Sequence, residues 1–254
     1  MENFSRAQSK KAGFQYIDKP EVSLPGIKRI VLLGDPGCTR FSEDSQKILG
    51  EILGQEADLF FILGDLVFSD SEEEFCELIA FCDSRVRAPI FALRGNHDLS
   101  HYARFFGRGS YALVLDRLVC FFLCDATGHF LQEDLDLFRE TLEKHKEKNF
   151  ILLMHIPPPT HVDRRGLKNE DWEKLKAVLG SHREQIKHIF CGHIHGFHEY
   201  EIEGYPITIT AGGGAAMIHE LLPPAQKLHH SIVLFIHSDG SFGTQVVPAG
   251  AGVV

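Results

Sequence analysis

Short apolar runs recur along the chain at Ile30–Leu33, Leu59–Leu63, Ile90–Leu93, Val119–Cys124, Ile151–Met154 and Ile186–Cys191, bounded by Gly, Pro or polar residues. Runs this short predict largely buried strands rather than helices. Between them the apolar positions take up helical spacing. Ser42 or Asp44 is placed to cap a helix carrying Ile48, Leu49, Ile52 and Leu53, and Ser71 precedes three Glu and then Phe75, Leu78, Ile79 and Cys82. A third helix is expected from about Gln132, with Leu135, Phe138 and Leu142 on one face, and a fourth from Asn169, with Trp172, Leu175 and Leu179.

The last part of the chain changes rhythm. Glu199–Glu203, Ile207–Thr210, Ile232–His237 and Phe242–Val247 read as strands joined by tight turns such as Glu203-Gly204 and Asp239-Gly240, with no helix between them. The expectation is an α/β core whose sheets are completed by late antiparallel strands. Residues 1–26, polar and carrying Pro20 and Pro25, are expected to form an N-terminal arm, residues 27–248 a single domain, and residues 249–254 a tail.

Composition adds two points. Fifteen histidines exceed what packing usually recruits, and imidazole is a common metal ligand. A net charge of -9 supplies no basic field for bulk nucleic-acid binding or for an anionic membrane surface. The six cysteines form no C-x-x-C pair, and several lie in apolar runs as small reduced hydrophobes would. The N-terminus has no apolar core of a secretion signal, and Asp116 and Arg117 interrupt the longest candidate span, so a cytoplasmic protein is expected.

Chemistry enters where the strands end. RIVLL runs into Gly34-Asp35, LFFIL into Gly64-Asp65, PIFAL into Arg94-Gly95-Asn96-His97-Asp98, FILLM into His155, and HIFC into Gly192-His193-Ile194-His195. Ligand sites in α/β sheets form beyond the carboxyl ends of strands, so these clusters are candidates to converge on one place. Taken singly, each has an ordinary explanation: a Gly-Asp turn, a core histidine, a turn asparagine. Together they make a mixed oxygen and nitrogen donor set suited to two divalent ions such as Mn, Fe or Zn.

In order and spacing, from about Ile30 to Gly214, these motifs resemble the signature of the calcineurin-like metallophosphoesterase family. The resemblance implies a four-layer αββα sandwich with mixed sheets and a dinuclear centre at one edge. It implies that Asp65 bridges both ions, that Asn96, His155 and His193 complete one site, and that Asp35 and His195 serve the other. His97 resembles the residue that binds substrate phosphate and acts as general acid, with Asp98 orienting its ring. The reaction implied is phosphoester hydrolysis by attack of a metal-bound hydroxide on a small phosphorylated substrate, a phosphodiester ahead of a monoester.

The pattern departs from the family at the first site. The commonest family sequence has His two residues after the first Asp, where this chain has Gly37; the purple acid phosphatase branch compensates with a Tyr where this chain has Phe68. The first site is therefore one protein donor short, and water is expected to complete it. Cys38 lies beside the gap, although a buried inert thiol is its simpler role. The loop PPPTHVDRRG carries His161, Arg164 and Arg165, and Arg164 is expected to contact the substrate phosphate with Asn96 and His97. The alternative is a binding or scaffold protein of the same fold with little turnover. Retention of His97 and Asp98 weighs against that alternative.

Overall fold

The structure is a computed structural model and describes residues 12–37, 42–161, 164–217 and 226–250. Its elements, in chain order, are β1 (Gly13–Phe14), β2 (Glu21–Ser23), β3 (Arg29–Leu33), α1 (Glu43–Leu53), β4 (Leu59–Leu63) and α2 (Glu72–Asp83). There follow β5 (Pro89–Leu93), α3 (Tyr102–Phe106), β6 (Tyr111–Val114), β7 (Leu118–Phe122), α4 (Gln132–Lys144), β8 (Asn149–Met154) and α5 (Asn169–Leu179). The chain closes with β9 (Ile186–Cys191), β10 (Phe197–Ile202), β11 (Tyr205–Thr210), β12 (His230–Ile236) and β13 (Phe242–Pro248).

Two mixed sheets result. One has the order β1-β5-β4-β3-β12-β13 and the other β10-β11-β9-β8-β7-β6-β2. The central strands β3, β4 and β5 are parallel, as are β7, β8 and β9, so each trio delivers its carboxyl ends to one edge.

Apolar residues cover both faces of these strands, which is why the runs are continuous rather than alternating. Ile30, Leu32, Phe61 and Leu63 face the second sheet, where they meet Tyr111, Phe122, Ile151 and Leu153. Their neighbours Val31, Leu33, Phe60 and Ile62 pack outward against Ile48, Leu49 and Ile52 of α1 and Phe75 and Leu78 of α2. On the far side, Phe121, Phe150 and Leu152 pack against Leu135, Phe138 and Leu142 of α4 and Trp172 and Leu175 of α5. The layers are therefore helix, sheet, sheet, helix, as the sequence led one to expect.

Ser42 is the cap of α1, its hydroxyl accepting from the Ser45 amide at 3.2 Å, and Ser71 caps α2 through the Glu74 amide at 3.3 Å. The late strands complete both sheets. β12 and β13 are antiparallel additions beside β3, and β10 pairs antiparallel with β11, but β11 itself runs parallel to β9.

Residues 1–26, expected to form an arm, contain β1, which pairs with β5, and β2, which pairs with β6. Strands of two and three residues are too short to carry a hydrophobic period and exist only through their partners. The same brevity hides the one-turn α3.

Phe122 is fully buried between the sheets, stacked on Tyr111 at 4.4 Å and edge-on to Phe61 at 5.0 Å. Phe122→Ala is expected to lower stability by about 3–5 kcal/mol, measured by urea unfolding.

Candidate metal centre

The loops that follow β3, β4, β5, β8 and β9 bring Asp35, Asp65, Asn96-His97, His155 and His193–His195 to the shared edge of the two sheets. Hydrogen bonds across the sheet interface hold them there. His155, at the end of β8, donates from Nδ1 to the Leu63 carbonyl of β4 at 2.7 Å. The His193 amide, beyond β9, donates to both oxygens of Asp35 at 3.1 and 2.9 Å. Asp65 Oδ1 accepts from the His97 amide at 2.9 Å.

The donors converge. With its Nδ1 proton committed to Leu63, His155 turns Nε2 toward Asn96 Oδ1 at 2.9 Å, Asp65 Oδ1 at 3.3 Å and His193 Nδ1 at 3.3 Å. Ligand atoms of Asp65, His155 and His193 all lie within 4.8 Å of one another. His195 donates from Nδ1 to the Ala216 carbonyl at 2.9 Å and faces Asp35 with Nε2 at 3.6 Å.

Backbone strain is concentrated at the same place. Asp35, Asp65 and His193 have φ values of 60°, 51° and 69°. Left-handed backbone costs a non-glycine residue of order 1–3 kcal/mol and persists where surrounding structure enforces it, commonly at functional sites.

The electrostatics suit cations. Burial raises the Asp35 carboxyl well above the usual carboxylate range, and neighbouring Asp65 adds to the effect. Burial also pushes against ionised Asp65, but the charge and hydrogen bond of His155 outweigh it and hold Asp65 low. Burial works to depress His155, yet Asp65, then Asp35 and Asp125, pull the imidazole up to about 10. A positive charge is thus drawn into this cluster even from a histidine. His193, by contrast, is pushed down to about 3 by burial and by the charge on His155, and burial also lowers His195. Neutral imidazoles are the form that ligates metal. Carboxylate and imidazole atoms in this arrangement fit a divalent ion, with Asp65, His155 and His193 close enough to share one and Asn96 Oδ1 beside His155 Nε2.

Gly37 explains the missing donor. A Cβ there would lie 1.9 Å from the Leu66 carbonyl oxygen and 2.6 Å from Val67 Cα, because the Gly37 amide is drawn down to the Asp65 carbonyl at 3.1 Å. Gly95 is similarly tight, with a virtual Cβ 2.3 Å from Asp65 Oδ1. These positions exclude any side chain on this backbone. Cys38 lies outside the described residues.

One expectation needs correction. Asp98 does not orient the His97 ring. It is buried, and its oxygens are used by the amides of Gly95 at 2.8 Å, Leu66 at 3.2 Å and Val67 at 3.2 Å, so it ties the loop after β4 to the loop after β5. The His97 ring is held instead by the Phe68 carbonyl, 2.8 Å from Nδ1. In the loop after β8, Arg164 and Arg165 are both exposed, and Arg165 is the one whose charge bears on His193 and His195.

One positioning residue escaped the sequence reading. Asp125, just beyond β7, is fully buried and accepts from the His155 amide at 3.0 Å and the Ile156 amide at 2.9 Å. Burial pushes its carboxyl up to about 7. Its signal was the same as at the other strand ends, an apolar run terminated by Asp. A second group, His129, Glu170 and Asp171, also brings ligand atoms together, but Lys174 Nζ lies 2.9 Å from Asp171 and supplies the positive charge there.

Residues 28–197 match the calcineurin-like phosphoesterase family, and the chain belongs to it. By class it is a phosphoric ester hydrolase. It is 27% identical over 259 residues to the 3',5'-cyclic adenosine monophosphate phosphodiesterase CpdA of Haemophilus influenzae, with 90% of each chain covered. The fold is shared with a dimetal phosphatase from Danio rerio (TM-score 0.68, 13% identity, covering 88% of this chain and 96% of that one). It is also shared with purple acid phosphatase PPD1 of yellow lupin (TM-score 0.69, 15% identity, covering 91% of this chain and 53% of that one).

Gly37→Ala is expected to cost about 1–3 kcal/mol, seen as a lowered melting temperature, because backbone must move to admit the methyl group. Gly37→His is expected to bind no more metal than wild type by elemental mass spectrometry.

Proposed function

We propose that the chain is a dinuclear metal-dependent phosphodiesterase acting on a small phosphorylated substrate. The observation that carries the reading is the convergence of Asp35, Asp65, Asn96, His155, His193 and His195 at one sheet edge, with His97 beside them. CpdA, over nearly its whole length, supports a diester, and a cyclic nucleotide is the first substrate to try. Mn, Fe and Zn all suit the donor set. A cytoplasmic location, and a domain spanning residues 27–248, belong to the same proposal. No helix among the described residues is long and apolar enough to cross a membrane.

Two divalent ions held by these residues would supply a clamp for the phosphate, a more acidic water and compensation for charge on the leaving oxygen. The protein's own residues supply the rest. Leu63 and Asp125 fix His155 from two directions, through its Nδ1 and its amide, so that Nε2 faces the donors. His97 donates from Nδ1 to the Phe68 carbonyl, so in the imidazolium form it is the second proton, on Nε2, that would pass to the leaving oxygen. Asn96 contributes an amide oxygen to the donor set without adding negative charge. Arg165 brings positive charge toward an incoming phosphate.

The test is hydrolysis of bis(p-nitrophenyl) phosphate, p-nitrophenyl phosphate and 3',5'-cyclic AMP with added Mn²⁺. The expected result is metal-dependent turnover that EDTA abolishes, Mn²⁺ restores and Asn96→Ala removes, with diesters ahead of the monoester. Turnover equal to that of Asn96→Ala would overturn the reading. His97→Ala is expected to slow alkyl leaving groups by about 10²–10⁴-fold and to slow p-nitrophenol release much less, since that leaving group needs little protonation.

A further inference from the structure

Phe68 is the residue whose placement the hydrolytic chemistry leaves unexplained. It lies three positions after Asp65 in the loop beyond β4, and its side chain is 41% exposed. A large aromatic ring left in water forgoes burial, and an isolated instance needs no explanation. This one is held firmly in place beside the proposed acid.

Its backbone is fixed from several sides. The amides of Phe68 and Ser69 both donate to Glu74 Oε2, at 2.9 and 2.8 Å, and Ser69 Oγ donates to Glu74 Oε1 at 2.6 Å. Glu74 stands in the first turn of α2, so the loop is anchored to a helix end. The loop is also zipped to its neighbour after β5. Asp98 takes the Leu66 and Val67 amides, and Asp70 takes the Ser100 amide at 2.5 Å and the His101 amide at 3.3 Å. Between those two ties, the Phe68 ring stacks on the His97 ring with centroids 5.9 Å apart and planes at 27°. The Phe68 side also borders a small cleft lined by Gly37, Leu66, Val67, Glu74 and Leu78.

An aromatic surface is therefore presented at fixed height beside the imidazole that protonates the leaving oxygen. The geometry points to Phe68 as the platform for a flat ring on the leaving-group side of the substrate, which makes the substrates phosphoesters whose alcohol is or carries an aryl or heterocyclic ring, nucleotides among them, in preference to esters of ring-free alcohols. The inference rests on the reading of this edge as the phosphoesterase site. Ring-on-ring stacking contributes without demanding a particular pattern of donors and acceptors, so the platform selects for flatness rather than for one base. The loop that fixes the ring also fixes His97, so a substrate ring seated on Phe68 sits within reach of the acid.

The experiment measures binding, so that it does not depend on turnover. The full chain, loaded with Mn²⁺, is titrated calorimetrically with phenylphosphonate and with methylphosphonate, two non-hydrolysable anions that differ in the ring. Wild type is expected to bind phenylphosphonate at least about fivefold more tightly, the lower end of what stacking on one aromatic side chain contributes. Phe68→Ala is expected to bring the two affinities within about twofold while leaving methylphosphonate binding unchanged, and Phe68→Tyr to retain the preference.

Absence of a ring preference in wild type, or its survival in Phe68→Ala, would overturn the proposal. So would an equal loss for both anions, which would mean that the ring only supports the loop. A chain that discriminates the two phosphonates yet hydrolyses no ester keeps the platform and refutes the hydrolytic reading.

Discussion

The structure is organised around the cost of burying carboxylates at a sheet edge. Asp35, Asp65, Asp98 and Asp125 are all essentially inaccessible to solvent, within a few strand ends of one another. Ionised groups are retained in such a place only when hydrogen bonds or opposite charge compensate them. Here the backbone does most of the compensating: three amides turn toward Asp98, two toward Asp125, and one each toward Asp35 and Asp65. Those amides come from loops that would otherwise be independent, so satisfying the carboxylates and assembling the loops are the same event. The left-handed conformations at Asp35, Asp65 and His193 follow from that requirement, because each residue must turn back toward a neighbour as soon as its strand ends.

A division of labour among the acids comes out of this arrangement. Asp35 and Asp65 keep lone pairs directed at the donor cluster, whereas Asp98 and Asp125 spend theirs on peptide groups and set the positions of others. Asp125 acts on His155 through its amide while Leu63 acts through its ring, so the histidine belongs equally to both sheets. Loss of either support would let Nε2 drift from Asn96 without removing either side chain.

The strand ends were legible in the sequence because an unbroken apolar run stopped by Asp or His is a strong signal, and the αββα layering was implied by the family resemblance that those ends carry. The residues that meet at the shared sheet edge were legible for the same reason. Less visible was which acid supports which imidazole. Asp98 follows His97 directly, and proximity along the chain suggested a partnership, but consecutive residues in a tight turn point in different directions, and the ring found a carbonyl from another loop. Asp125 carried the same strand-end signal as Asp65 but lacked the Gly before it. Arg164 and Arg165 are adjacent in a turn, and no sequence pattern separates them. Strands β1 and β2 have no pattern of their own, since only their partners define them.

Consider finally the neighbours of β3, the strand that delivers Asp35. On one side it pairs with β4, soon after in the chain; on the other it pairs with β12, where Leu32 is matched to Ile232. That second contact spans about two hundred residues, and contacts of such separation form late because a long loop must close before they bring any reward. On the ribosome, β3 therefore emerges with one hydrogen-bonding edge unpaired and waits for β12. The acid that β3 delivers is made about two hundred residues before its strand is locked into register on both sides, so closure of the sheet and final placement of Asp35 arrive together.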